Sequence, residues 1–162
     1  MLGQVLHSHS EDAGERWMLA DVAGAPLCLF DGLGRSHRFR YDVLRRPTQQ
    51  WVQPEGGNET LVVLNVWGET ADSPEDENLR GQLIRQYDGA GLLENTRFHF
   101  AGHLLEQSRT LTVAYAEVPD WSALESATTL GDLDTAHDGL IEDDRHTTQT
   151  TYDALGRRPT AR

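Results

Sequence analysis

The sequence has one cysteine and no lysine, and both shortages limit the classes of protein it can belong to. Cys28 alone cannot form an internal disulfide, and its apolar surroundings (PLCLF) predict a buried thiol rather than a nucleophile. All 14 basic side chains are arginines, against 26 acidic ones, so the formal net charge is −12. Because no basic patch is segregated along the chain, nucleic acid and anionic membrane surfaces are excluded as predicted partners.

Long hydrophobic runs are missing as well. No apolar stretch approaches the roughly 18 residues that span a bilayer, so direct membrane insertion is not predicted. The opening residues, MLGQVLHSHSED, lack a basic start followed by an apolar block. They predict synthesis in the cytoplasm without a secretory signal, and they leave later export by another route open. A chain of 162 residues with 38% hydrophobic residues is long enough to bury one core.

The sequence does contain a recurring turn, Asp-x-x-Gly, at intervals of 10 or 11 residues that are interrupted twice. Asp at the first position of such a turn accepts backbone N–H bonds, and Gly at the fourth adopts a positive φ. Arg45 replaces the glycine in one copy and His99 replaces the aspartate in another, so the pattern alone does not predict these two turns. The first positions of the copies are Asp21, Asp31, Asp42, Asp88, His99 and Asp153.

The segments between the turns alternate apolar and polar residues, which is typical of strands. In SHRFRYD, one face carries His37, Phe39 and Tyr41, while Arg38 and Arg40 lie on the other. The run TLVVLNVW is more continuously apolar and predicts a strand that is covered on both sides. The turn spacing leaves roughly six or seven residues for each strand. We therefore predict an all-β fold of consecutive antiparallel hairpins with one or two short helical insertions.

Two acidic stretches interrupt the repeat, at about 68–81 and 131–146. The first contains Pro74 and predicts a surface loop with one helical turn near 75–80. The segment VPDWSALESATTL predicts a short helix capped by Asp120 or Ser122. The second acidic stretch, GDLDTAHDGLIEDDRH, predicts a loop of weak order.

Several stretches resemble the RHS/YD-repeat family, and most of all the repeat-bearing shell proteins of bacterial insecticidal toxin complexes. The long block NLRGQLIRQYDGAGLLENTRFHFAGHLLEQSRTL is the most specific, because turn, aromatic and leucine positions recur together in it. The other stretches are YDVLRRPTQQWV, VPDWSAL and TTYDALGRRP. The resemblance extends from about LHSHSED to the last residue.

This resemblance implies a fold and a role in virulence. YD repeats form a hollow β-shell that encapsulates a toxin cargo and docks on a translocation channel. The implied partners are the remainder of the shell or a partner shell protein, the cargo and the channel. The implied location is a secreted complex. The last turn, in TTYDALG, begins a repeat that 157–162 would continue as a short return strand with an open edge. We therefore expect 1–162 to be one YD-repeat segment of a larger shell, with a structural role in the shell wall and no enzymatic activity.

Histidines and acidic residues offer three possible metal sites, and the sequence favours none of them. His7 and His9 share a strand face near Asp12 and Glu15, but no further ligand has a fixed spacing, which predicts a polar strand face. His99 and His103 similarly predict a solvated hairpin end. Counted from Asp132, an EF-hand loop would need Gly at the sixth position, where His137 stands, and its twelfth position is Asp143.

Catalytic and cofactor motifs do not emerge from the sequence. The stretch GAGLLE (89–94) contains Gly-x-Gly but lies in a turn rather than between a strand and a helix. We predict no catalytic, cofactor-binding or metal-binding residues and no cofactor. The alternative function is a surface adhesion or carbohydrate-binding module, in which aromatic rings would stack on sugars, although an inward-packed stripe is favoured. These rings are Trp17, Trp51, Trp67, Tyr87, Phe98 and Tyr152.

Overall fold

The structure is a computed structural model that describes residues 5–158. Within these residues, ten strands follow one another in the order of a meander. The strands are β1 (His7–Ser10), β2 (Gly14–Ala20), β3 (Pro26–Phe30), β4 (Ser36–Tyr41), β5 (Pro47–Gln53), β6 (Thr60–Trp67), β7 (Leu83–Asp88), β8 (Gly91–Phe98), β9 (Leu104–Thr112) and β10 (Ile141–Gln149). The helical parts are α1 (Leu130–Ala136) and two 3₁₀ turns, Gly68–Thr70 and Ser122–Leu124. The predicted all-β fold of antiparallel hairpins with short helical insertions is confirmed.

The chain divides into two compact units, Met1–Leu64 and Asn65–Arg162, here called the N-terminal and C-terminal units. The predicted return strand at 157–162 falls mostly outside the described residues. That 1–162 forms a single repeat segment of a larger shell stays a prediction.

In the N-terminal unit the side chains of the first strands are largely exposed, and those of the last strands are more buried. Residues directly opposite each other in antiparallel strands share a face, so the register Leu19–Cys28–Arg38–Trp51–Leu61 is one row across the sheet. Leu19 is 54% exposed, whereas Trp51 is 6% exposed and Leu61 is fully buried. The guanidinium of Arg38 lies 5.1 Å from the Trp51 ring centre and covers it. Cys28, predicted to be buried, is half-buried.

The C-terminal unit has its core where the insertion 113–140 packs on one face of the sheet. Tyr87 on β7 lies opposite Leu92 on β8, and both are buried. The Trp121 ring lies 5.3 Å from the Tyr87 ring, and its Nε1–H donates to the Asp88 carbonyl at 3.2 Å. Complete burial of a large apolar side chain contributes on the order of 1.5–3 kcal/mol, so Trp121 anchors the insertion to the sheet.

The acidic stretch 131–146 is not the loop that the sequence predicts, because it contains most of α1 and β10. Helix α1 begins with a capping box: Thr129 Oγ1 accepts from the Asp132 N–H at 3.1 Å, and the Asp132 carboxylate accepts from the Thr129 N–H at 2.9 Å. Leu133 is buried and holds the helix in place. The acidic side chains of β10 are exposed while its backbone pairs with β9. The acidic residues of this stretch therefore indicate a solvent-exposed strand rather than a loop.

In the stretch 68–81 the helical turn lies at Gly68–Thr70 rather than near 75–80, and the remaining residues form turns and bends. Pro74 is buried, and its carbonyl accepts from the Leu79 N–H at 2.7 Å. A Cβ on Gly68 would lie 1.8 Å from the Leu79 carbonyl oxygen, so only glycine allows this close approach. Local turn propensity could not reveal that contact, since its two members are eleven positions apart.

Candidate functional site

The turns at the strand ends are the most repetitive feature of the structure. In the turn at Asp31, its N–H donates to the Arg35 carbonyl at 3.0 Å, and the Gly34 N–H donates to the Asp31 carbonyl at 3.1 Å. The Asp31 Oδ1 accepts from the N–H groups of Leu33 (2.9 Å) and Arg35 (3.0 Å). These bonds pair the polar backbone groups of the turn within the turn itself, so no other segment has to supply a partner. Among the described residues the same backbone pattern recurs at Asp21, Asp42 and Asp153.

An arginine at the fifth position completes three of these turns, and the sequence interpretation missed it. Arg35 Nε donates to Asp31 Oδ2 at 2.8 Å. The equivalent pairs are Asp42–Arg46 at 2.7 Å and Asp153–Arg157 at 2.8 Å. The signal was present as Asp-x-x-x-Arg in each of these three copies, whereas the Asp21 copy has Ala25 at the fifth position. In these three copies the unit is therefore a five-residue turn closed by both backbone bonds and an ion pair.

The two departures from the pattern both form the turn. Arg45, in the glycine position, adopts φ 65° and donates its N–H to the Asp42 carbonyl at 2.9 Å. His99, in the aspartate position, donates its N–H to the His103 carbonyl at 2.8 Å. Its Nδ1 accepts from the Ala101 N–H at 3.3 Å, which replaces one of the aspartate bonds. The backbone geometry thus tolerates substitution at either signature position.

The copy at Asp88 differs from the others and corrects the interpretation of YDGAG. Strand β7 ends at Asp88 and β8 begins at Gly91, directly opposite, so the loop has two residues. The Asp88 carboxylate accepts from the Ala90 N–H at 2.8 Å and pairs with Arg109, whose Nη1 lies 3.0 Å from its Oδ2. A Cβ on Gly91 would lie 2.3 Å from the Thr110 carbonyl oxygen. Here glycine permits strand β9 to approach.

A pocket of about 700 Å³ in the C-terminal unit is lined by a chain of ion pairs. Arg85 bridges two acids, with Nε 2.9 Å from Glu94 Oε1 and Nη1 2.7 Å from Asp134 Oδ1. Arg145 Nη2 lies 2.8 Å from the other oxygen of Glu94. Charges therefore alternate from α1 through β7 and β8 to β10. Each of these two carboxylates is paired with a guanidinium, so the network joins α1 of the insertion to the strands beneath it.

A tyrosine–histidine pair lies beneath the same pocket. Burial raises the pKa of Tyr87 to about 12, so its hydroxyl stays protonated. Burial lowers the pKa of His137, so its imidazole is neutral at pH 7 and accepts from Tyr87 at 2.9 Å. Proton transfer between the two groups is unfavourable with these pKa values, and the bond joins the end of α1 to β7.

The histidines and acids considered as metal ligands lie apart. His7 stacks on Trp17 at 4.1 Å between ring centres, and both His7 and His9 are exposed on β1. The Asp132 carboxylate caps α1, whereas Asp143 lies on β10. Within residues 5–158 no group of three or more His, Cys, Asp or Glu side chains is placed to hold a metal ion.

The aromatic residues have mixed environments. Trp51, Tyr87 and Phe98 are buried, and the Tyr152 ring stacks on His103 at 4.9 Å. Trp17 is 51% exposed. In the part of the chain that the structure describes, no helix is both long enough and apolar enough to span a bilayer.

Comparison with known proteins identifies the relatives of this fold, although no family model matches the chain. Toxin subunit YenC1 of Yersinia entomophaga is 28% identical over 122 residues, which cover 74% of this chain and 12% of YenC1. Toxin subunit YenC2 of the same organism is 26% identical over 172 residues, covering 95% of this chain and 17% of YenC2. The chain is a homologue of these toxin subunits.

Solved structures agree with this homology. The crystal structure of TcdB2-TccC3 superimposes with a TM-score of 0.83 at 27% identity, over 96% of this chain and 7% of that one. The Tc holotoxin pore of Photorhabdus luminescens with a mutated TccC3 gives a TM-score of 0.83 at 28% identity, again over 96% and 7%. The resemblance to the RHS/YD-repeat proteins of toxin complexes is confirmed. This toxin-subunit homologue spans only a small part of each relative's length.

Proposed function

We propose that this chain is a wall segment of a β-shell that encapsulates a toxin cargo and protects it for delivery. The observation that carries the proposal is the likeness to TcdB2-TccC3, which extends over 96% of the chain at a TM-score of 0.83. Because the similarity covers almost the whole chain and includes 27% sequence identity, it indicates homology and not only a shared arrangement of strands.

The geometry of the turns supports a structural role in the wall of the shell. Turns such as Asp31–Arg35 satisfy their own backbone groups, so consecutive hairpins can continue without specialised loops. A hydrogen-bonded sheet offers proteases no extended backbone except at its edges. The two arginines that line the pocket, Arg85 and Arg145, are held in ion pairs with Glu94 and Asp134, which supports a structural rather than an enzymatic role for this segment.

The proposed partners follow from the shell role. They are the remainder of the shell or a partner shell protein, the enclosed toxin and a translocation channel. The chain would be made in the bacterial cytoplasm and exported as part of the toxin complex.

A replacement experiment tests the role. The matched segment of TcdB2-TccC3 is exchanged for this chain, with a cargo protein at the C-terminal end, and the particles are examined by negative-stain electron microscopy and protease digestion. We expect hollow particles whose cargo resists protease. A matched control carries Asp31→Ala and Asp42→Ala and should lose cargo protection. Intact particles whose cargo is digested as fast as free cargo would contradict the proposal.

The alternative, an adhesion or carbohydrate-binding module, predicts a different result. Trp17 is the half-exposed ring that a sugar could reach on β2. Glycan addition that changes tryptophan fluorescence in the wild type but not in Trp17→Phe would favour that alternative.

A further inference from the structure

The pocket of the C-terminal unit has one wall that the chain of ion pairs does not include. Strand β10 has a bulge between Ile141 and Arg145, because these residues are four positions apart while their partners on β9 are only two apart. The bulge carries Glu142 and Asp143, and both line the pocket. Bulges are frequent beside binding sites, where they redirect side chains.

The charges that line this pocket do not balance. Five carboxylates line it against two guanidiniums, which leaves three negative charges near neutral pH. Both guanidiniums, those of Arg85 and Arg145, are already paired with Glu94 and Asp134. The remaining carboxylates are exposed and form no ion pair within residues 5–158, and they belong to Asp138, Glu142 and Asp143. A cation that enters the pocket would therefore find free partners.

A buried hydroxyl lies in the same pocket without a protein partner. Thr110 is only 6% exposed and lines the pocket, and its side chain shares a sheet face with Leu92 and Arg145. Its hydroxyl forms no hydrogen bond to another residue of 5–158. Every fully enclosed side-chain oxygen or nitrogen in this range has a partner, so the Thr110 hydroxyl opens onto the pocket. A buried hydroxyl without a partner is costly, which indicates a ligand group that donates to it.

Apolar side chains complete the lining and restrict the ligand's chemistry. They are Leu92, which lies directly opposite Thr110, and Val113 and Ile141. A carbon chain would cover them and gain from leaving water, whereas a bare metal ion would not. No group of three or more His, Cys, Asp or Glu side chains within 5–158 is placed to hold a metal. A polypeptide would bring backbone amides that an apolar wall cannot pair.

We propose that this pocket binds a short aliphatic polyamine. Its ammonium groups pair with the three remaining carboxylates, one of them donates to the Thr110 hydroxyl, and its methylene groups cover the apolar lining. The bound amine would join the end of α1 to the bulge of β10. This site does not depend on the shell role, so its failure in a test would leave that proposal untouched.

Calorimetric titration of the full chain with spermidine, at neutral pH and physiological salt, tests the site. We expect saturable binding of one spermidine with a Kd at or below about 1 mM, the scale for a ligand of this size. Hexaamminecobalt(III) has the same charge but no carbon chain, and it should bind at least about tenfold more weakly. Equal affinity for the two, or binding of spermidine that does not saturate, would overturn the proposal. Tighter binding of trilysine than of spermidine would also overturn it.

Variants locate the binding. Glu142→Gln with Asp143→Asn should weaken it at least about tenfold, and Thr110→Val should weaken it about threefold or more. Asp144→Asn is the matched control, because Asp144 is exposed on the same bulge but does not line the pocket, and it should change the affinity less than about twofold. Urea unfolding without spermidine checks that each variant folds, and Asp138→Asn replaces the double variant if that one does not. An unchanged affinity in Thr110→Val, or an equal loss in Asp144→Asn, would contradict the assignment.

Discussion

The guanidinium of Arg45 pairs with the carboxylate of Asp21, which belongs to a different turn of the N-terminal unit. Arg45 occupies a glycine position and holds a left-handed φ of 65°. The residue that departs from the repeat therefore links two turns that the repeat pattern treats as independent.

Replacing Arg45 with glycine should change stability little and should slightly favour the folded state. Left-handed backbone costs a non-glycine residue about 1–2 kcal/mol, whereas an exposed ion pair contributes little. Urea unfolding compares Arg45→Gly with Arg45→Ala, which loses the pair but keeps the strain. Arg45→Ala should be the less stable of the two. A glycine variant less stable than the alanine variant would show that the ion pair, or the entropy of the unfolded chain, dominates.

Asp31 should make stability depend on pH between about 4 and 2. Partial burial raises its pKa, but the Arg35 N–H, the Arg35 guanidinium and the Leu33 N–H outweigh this and lower the pKa from 3.8 to about 2. A depressed pKa contributes stability that is present above the unfolded value and is lost as the pH falls through the folded value. The free-energy difference between wild type and Asp31→Asn should therefore be largest at pH 5 and shrink toward pH 2. Urea unfolding at pH 5, 4 and 3 measures it, and a constant difference would contradict the prediction.

Glu94 should be the most sensitive member of the charged pocket. Its two oxygens accept from Arg85 at 2.9 Å and Arg145 at 2.8 Å, and its side chain is only 12% exposed. Glu94→Gln leaves both guanidiniums without that negative partner and should cost about 2–3 kcal/mol of unfolding free energy in urea, the range for hydrogen bonds to charged groups. Glu142→Gln, an exposed residue lining the same pocket, should cost less than about 0.5 kcal/mol. Equal effects would mean that the network does not stabilise the insertion.

Gly91 should tolerate no side chain. Its φ is 123°, and a Cβ would lie 2.3 Å from the Thr110 carbonyl oxygen. Gly91→Ala should therefore lose about 3 kcal/mol or more, because the β8–β9 ladder must separate locally. Gly89, two residues earlier, has open space around its Cβ position, so Gly89→Ala is a matched control that should stay within about 0.5 kcal/mol. Thermal unfolding of both variants measures the contrast.

Local chemistry explains why so much of the fold could be predicted. Asp31 and Gly34 act within four residues of each other, and the alternation of Arg38, Phe39 and Arg40 sets the two faces of β4 without reference to the rest of the chain. The capping box of α1 is just as local, since Thr129 and Asp132 are three residues apart. That signal was present in the sequence but was obscured by the acidic composition around it.

By itself, the sequence determined the antiparallel hairpins, the shortness of the helices within residues 5–158 and the likeness to toxin-complex shell proteins, because turn residues and period-two alternation act over a few positions. Only the tertiary structure decided which turns survive substitution, as at Arg45 and His99. It also decided which charged side chains form ion pairs, as in the chain of pairs from Asp134 through Arg85 and Glu94 to Arg145. Arg85 and Asp134 are 49 positions apart, and their meeting depends on how the insertion buries Trp121 and Leu133. Burial between distant segments is a property of packing, and no local pattern encodes it.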